Sequence, residues 1–201
     1  MKRGMCAIAL VACAAGTTMG QAVTSASGGG TFTAFYGGST GDVVGMRFTV
    51  NEPIIVTHLG VWNNSGANVA DHQVGIWQND TMSLLTSNVV TPGSPATGDW
   101  NYEPTTSVVL MPGIEYTAGA MYASDDGDVY VSNPAITTAT EVNILNGVFP
   151  SAGSLGFVYP ENDSAGNSGR YGPNFLFRPI PAPGAMALLG LGGLLAARRR
   201  R

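Results

Sequence analysis

Two histidines, one serine framed by glycines and a knot of aspartates are the residues of this 201-residue chain whose types and spacing could do chemistry. The stretch "GGSTG" (37–41) has the Gly-x-Ser-x-Gly form of a nucleophile elbow, with Ser39 at its centre. His58 or His72 could act as general base, oriented by Asp71 or Asp99, the arrangement that lets a serine oxygen attack an ester or amide carbonyl. An elbow needs a strand before it and a helix after it. The residues that follow Ser39, "DVVGMRF", read instead as a strand. That context argues against a secreted hydrolase, and the chain is read as non-enzymatic.

Metal chemistry has one candidate. In "SDDGDVY", Asp125, Asp126 and Asp128 surround Gly127 and offer hard carboxylate oxygens to calcium. An Asp-Gly pair between two strands is equally the favoured hairpin turn, because glycine supplies the positive φ. Both readings stand at this point. "PENDSAGNSG" (160–169) adds Glu161, Asn162 and Asp163 as further oxygen donors if it folds nearby. Two histidines without a cysteine in the body do not make a zinc site.

Sugar binding would use aromatic faces, with Trp62, Trp77, Trp100, Tyr102 and Tyr171 as the candidates. Trp62 and Trp77 fall in strand-like runs and read as core, where aromatics carry the largest buried area. Trp100 and Tyr102 sit in the loop-like "GDWNYEP" and are the expected glycan-binding pair. "ASGGGT" (26–31) has no accompanying lysine, so it is no phosphate cradle.

The elements that must position these groups are strands. Short β-branched and aromatic runs alternate with Gly, Asn, Asp and Pro clusters at about ten-residue spacing, which is the pattern of an all-β sandwich or barrel. Candidate strands cover 31–36, 43–50, 54–62, 72–78, 83–90, 105–110, 114–122, 128–132, 155–159 and 174–178. "TATEVNILNGVF" (138–149) is the one expected short helix. Period-two alternation, as in Ile114, Tyr116, Ala118, Ala120 and Tyr122, predicts two packed antiparallel sheets, a jelly-roll-like β-sandwich. The expected organisation is a flexible lead-in with a first strand (23–41), one sandwich domain (42–178) and a separate tail (179–201). The succession "GDVVGMRFTVNEPIIVTHLGVW", "HQVGIW", "GDW", "SVVLMPGIEYTAGAMY" and "NFLF" resembles a bacterial β-sandwich domain of unknown function found in secreted proteins and beside carbohydrate-active modules. That resemblance covers about residues 42–178 and implies a fold, not a catalytic residue.

Both ends read as addresses. Lys2 and Arg3 precede an apolar run, and Gly20 and Ala22 have the small-x-small spacing of a signal-peptidase site, so residues 1–22 are expected to leave with a cut after Ala22. "LVAC" (10–13) also resembles a lipobox, with Cys13 as the alternative modification point. Cys6 and Cys13 are the two cysteines, so a chain cut after Ala22 has no thiol and no disulfide. Of nine basic residues, six lie at the ends, leaving Arg47, Arg170 and Arg178 against 13 acidic ones, a body charge of −10. Such a surface repels nucleic acid, whose binding needs cations to neutralise phosphates.

At the other end, Pro181-Ala182-Pro183 is followed by an uncharged stretch (184–197) and by Arg198, Arg199, Arg200 and Arg201. As a helix that stretch rises roughly 21 Å, short of the roughly 30 Å hydrocarbon core. It can cross a thin membrane with the arginines reaching the cytoplasmic headgroups, which leaves the body outside. The layout resembles the PEP-CTERM sorting tail of bacterial exported proteins, with alanine in place of the motif's glutamate. The resemblance implies an exosortase-like membrane processing enzyme as partner and at least transient membrane insertion; an uncut C-terminal anchor is the alternative. Together the ends imply an extracytoplasmic or cell-surface protein with a structural or adhesive role, for instance in an exopolysaccharide matrix. A carbohydrate-binding module, calcium-assisted or not, is the second expectation.

Overall fold

A computed structural model describes residues 19–34, 40–164, 166 and 169–180. The expected signal segment up to residue 18, Ser39 and the sorting tail from Pro181 to Arg201 lie outside the described residues. Within them the chain is all-β. Its strands are β1 (Gly20–Gln21), β2 (Val23–Ser27), β3 (Gly30–Phe32), β4 (Asp42–Val50), β5 (Ile54–Trp62), β6 (His72–Gln78), β7 (Ser83–Val90) and β8 (Ala96–Thr97). They continue with β9 (Trp100–Leu110), β10 (Glu115–Tyr122), β11 (Tyr130–Ser132), β12 (Ala135–Thr138), β13 (Val142–Phe149), β14 (Asn162–Ser164), β15 (Arg170–Tyr171) and β16 (Pro173–Pro179).

Two sheets carry most of these strands: a six-stranded one in the order β14-β13-β4-β10-β6-β7 and a five-stranded one in the order β1-β16-β5-β9-β8. Two ribbons, β15-β11-β3 and β12-β2, complete the described ladders. The two sheets pack face to face in a sandwich-like manner. Phe48 of β4 meets Phe175 of β16 with ring centroids 5.0 Å apart, and Met46, Ile54, Leu59, Ile76 and Phe177 fill the same fully buried layer. Strand β7 also clasps β9 of the other sheet: Thr86 Oγ1 lies 2.6 Å from Thr105 Oγ1, and the Asn88 amide donates to the Pro104 carbonyl.

Local sequence explains the crossings. Between β9 and β10 the chain changes sheet at Met111-Pro112-Gly113-Ile114, where Gly113 has φ +82°, the value that a type II turn requires after proline. In β10, Tyr116, Ala118, Ala120 and Tyr122 are all buried, as the alternation predicts.

In the middle of the six-stranded sheet, Gly75, Gly119 and Gly45 stand opposite one another across β6, β10 and β4. The missing side chains make room for the Trp77 indole, which would lie 3.1 Å from a Cβ at either Gly75 or Gly119. Phe157 then packs on Trp77 at 5.0 Å between ring centroids.

Three expectations are corrected. The stretch 138–149 is not a helix: Val142–Phe149 is a strand between β4 and β14. Its register shifts between Ile144 and Asn146, so Leu145 is an extra, bulged residue. A bulge moves the apolar phase by one position, and the result mimics helical spacing. Residues 155–159 form no strand, and Phe157 instead covers Trp77. The described start of the lead-in, residues 23–32, is ladder rather than a loose segment, since β2 pairs with β12 and β3 with β11, with Gly28 and Gly29 turning the chain at φ +68° and +80°.

Candidate functional site

Where β3, β11 and β15 run side by side, a recess of about 260 Å³ is lined by Phe32, Thr33, Tyr130, Ser132 and Arg170. Phe32 is 52% exposed, an unusual position for a phenyl ring, and it stacks on Tyr130 at 6.2 Å and 28°. The Arg170 guanidinium is fixed from three sides. It donates to the Tyr130 hydroxyl at 3.0 Å and to Ser164 Oγ at 3.1 and 3.3 Å, and it lies 4.9 Å from the centre of the Phe149 ring. The ion pairs among the described residues are Arg47–Asp163 and His72–Asp128, so Arg170 is held by hydroxyls and a ring rather than by a carboxylate. An exposed aromatic face beside an oriented cation and hydroxyls is chemistry that suits a sugar ring carrying an acidic group.

A second cleft, of about 400 Å³, lies over the five-stranded sheet and is lined by Met19, His58, Pro95, Thr97, Tyr102, Glu103, Pro104 and Leu176. Burial and the Arg178 charge hold His58 below the usual imidazole range, against the pull of Glu103. His58 Nδ1 lies 2.9 Å from the Thr57 hydroxyl, and Glu103 accepts from Ser94 Oγ at 2.6 Å. Asp71 and Asp99 are exposed and orient neither histidine.

The histidine that does have a carboxylate partner is His72, and sequence spacing did not disclose it. His72 and Asp128 are both buried, with Nε2 2.9 Å from Oδ2. Asp128 also accepts from the Val69 and Ala70 backbone N–H groups at 2.9 Å each. His72 Nδ1 faces the Met121 carbonyl at 2.9 Å. Both ring nitrogens thus face oxygen atoms. The His72–Asp128 contact is closed to solvent, and the cluster ties the β5–β6 connection to the turn after β10.

The acidic turn makes other contacts. Asp128 turns to His72, away from a shared site with Asp125 and Asp126. Asp126 accepts from the Ala123 and Asp128 backbone N–H groups at 2.9 and 2.8 Å, while Gly127 makes the turn at φ +81°. Among the described residues no three acidic or histidine side chains are grouped to hold a metal. Glu161 binds the Ser151 N–H and the Ser154 hydroxyl, and Asp163 pairs with Arg47 at 2.8 Å, so neither joins the acidic turn.

The expected glycan pair is corrected too. Trp100 is 0% exposed and Tyr102 is 3% exposed, so neither offers a ring face to a saccharide. The register places them opposite Trp62 and Gly60, and the tyrosine ring lies against Gly60 where a Cβ would overlap it. Trp77 is buried as expected, Trp62 is half-buried against the core and Tyr171 is fully buried.

No protein-family model matches this chain, and no curated protein matches it. The site therefore rests on its own geometry.

The buried phenols give a pH test. Burial lifts Tyr102 and Tyr122 above the ordinary tyrosine range, with Asp128 and Asp126 adding to the effect at Tyr122. Burial lifts Tyr130 as well, opposed by Arg170. A raised folded value means that the folded chain keeps protons the unfolded chain has released. Their contribution is therefore complete below about pH 10 and is lost as pH rises beyond it. Absorbance at 295 nm is expected to show these phenols ionising together with loss of the β circular dichroism signal. Titration of all tyrosines near pH 10 with the fold intact would contradict their burial.

Proposed function

We propose that this chain is an exported, non-enzymatic protein whose jelly-roll-like sandwich works outside the cytoplasm, at the cell surface or in an exopolysaccharide matrix, in a structural or adhesive role. One observation carries the reading. A basic-apolar leader and a Pro-Ala-Pro, apolar, tetra-arginine tail bracket a cysteine-free body with a net charge of −10. The tail inserts into the membrane transiently or permanently, and an exosortase-like enzyme that accepts Pro181-Ala182-Pro183 is its processing partner. The all-β body supports the reading, since secreted binding and scaffold domains without disulfides need a large two-sheet core.

A second reading, a carbohydrate-binding module, is favoured by the exposed Phe32 ring beside Arg170. Its ligand would be a saccharide with carboxylate groups.

Fractionation of cells expressing the full chain tests the first reading. The body is expected in the medium or envelope and open to added protease on intact cells. Replacing Arg198, Arg199, Arg200 and Arg201 by alanine is expected to lower the surface-retained share several-fold. Full-length protein confined to the cytosol and protected from protease would end the proposal.

A further inference from the structure

We propose that the leader is removed upstream of Gly20 rather than after Ala22, so that the exported chain keeps β1 and the turn into β2. The inference rests on the export reading above and locates its first processing step.

Gly20 and Ala22 have the small side chains that a leader peptidase reads, yet the fold supplies its own reason for each. Gly20 stands opposite Phe177 in the β1–β16 ladder, and a Cβ there would lie 2.6 Å from the Phe177 ring. Ala22 is 0% exposed within the core cluster, which leaves no room for a larger side chain. Packing alone thus explains the spacing that looks like a cleavage signal.

The backbone here is engaged as tightly as the side chains are. The Ala22 N–H donates to the Phe175 carbonyl at 3.0 Å, and the Ala22 carbonyl accepts from the Ala139 N–H at 3.1 Å. Val23 is clamped on both sides by one amide: its N–H donates to Asn174 Oδ1 at 3.0 Å, and its carbonyl accepts from Asn174 Nδ2 at 2.8 Å. Hydrolysis after Ala22 would add water across that peptide bond, leaving a carboxylate on the leader and an α-ammonium on Val23. That new charge would sit at a residue 0% exposed, with Asn174 Oδ1 as the acceptor the structure shows. Buried charges need more than one neutral acceptor. The same cut would remove β1 and leave the Phe175 carbonyl and the Ala139 N–H without partners, in a region where buried backbone groups are normally paired.

Upstream, the sequence offers an equivalent signal. Ala14 and Gly16 repeat the small-x-small spacing directly after the apolar run, and a leader ending at Gly16 has an ordinary length. The hydrolysis is the same, but the new α-ammonium falls before the first residue of the sandwich.

The test is the intact mass and N-terminal peptide of the full chain, expressed in an exporting bacterium and recovered from medium and envelope. A shortened chain whose first residue is Gly20 or earlier is expected, and a start at Cys13, with or without an added lipid mass, supports the proposal equally. A first residue at Gln21 or later overturns it while leaving export intact. A chain from medium or envelope that still carries its whole leader overturns this proposal and leaves export intact, whereas protein confined to the cytosol overturns both.

Discussion

Replacing Asp128 by alanine is expected to lower the unfolding free energy by about 2–4 kcal/mol, the scale of the penalty for leaving buried and half-buried donors without their acceptor. That cost follows from what the carboxylate holds. Its oxygens accept from the Val69 N–H, the Ala70 N–H and His72 Nε2, each at 2.9 Å; the imidazole contact is closed to water and the two backbone contacts are half-buried. Truncation leaves two backbone donors and an imidazole without acceptors. Asp128→Asn keeps one carbonyl oxygen and is expected to cost less, about 1–3 kcal/mol. Single-domain proteins hold only about 5–15 kcal/mol in total, so the alanine variant should be partly unfolded in moderate urea. Urea melts followed by circular dichroism give the comparison. A loss under about 1 kcal/mol for Asp128→Ala, below the penalty for unpaired donors, would mean that the cluster does not brace the fold.

Trp100→Ala is expected to cost a similar amount, about 3–5 kcal/mol, as deletion of a fully buried large aromatic does. Its indole N–H is buried without a partner among the described residues, so Trp100→Phe should recover much of the loss. Phe32→Ala is the informative contrast. Half of that ring is already in water, so its removal should leave stability within about 0.5 kcal/mol. Under the carbohydrate reading the same change should abolish retention on an acidic polysaccharide, whereas Trp100→Phe should leave retention in place. Loss of retention with Trp100→Phe but not with Phe32→Ala would return the site to the tryptophan and remove the recess from consideration.

The fold class is readable because period-two alternation survives wherever a strand has a single phase, as in β10 and β4. It fails at Leu145, where a bulge shifts the phase, and in the glycine-rich lead-in, where pairing with β12 orders residues of weak intrinsic preference. The candidate site is less legible. "GDWNYEP" looks like a loop, but β9 runs unbroken from Trp100 to Leu110 and turns both aromatics inward. Nothing local marks Asp128 as the partner of His72, since 56 residues separate them and only the ladder order brings them together. Phe32 carries no signal of its own, because a lone phenylalanine in a strand ordinarily points into a core.

The glycine rung of the six-stranded sheet ties together positions that are far apart in the chain. Gly75 and Gly119 lean on the same indole, yet a Cβ at Gly75 would also meet Phe157 and Leu84 at 2.8 and 2.9 Å, and one at Gly119 would meet Val43 at 2.5 Å. The two positions share one neighbour, so their penalties are not expected to sum. Descendants of this sequence therefore cannot fill the rung by shrinking Trp77 alone: a side chain at Gly119 also needs Val43 to give way, and one at Gly75 needs Phe157 and Leu84 to move.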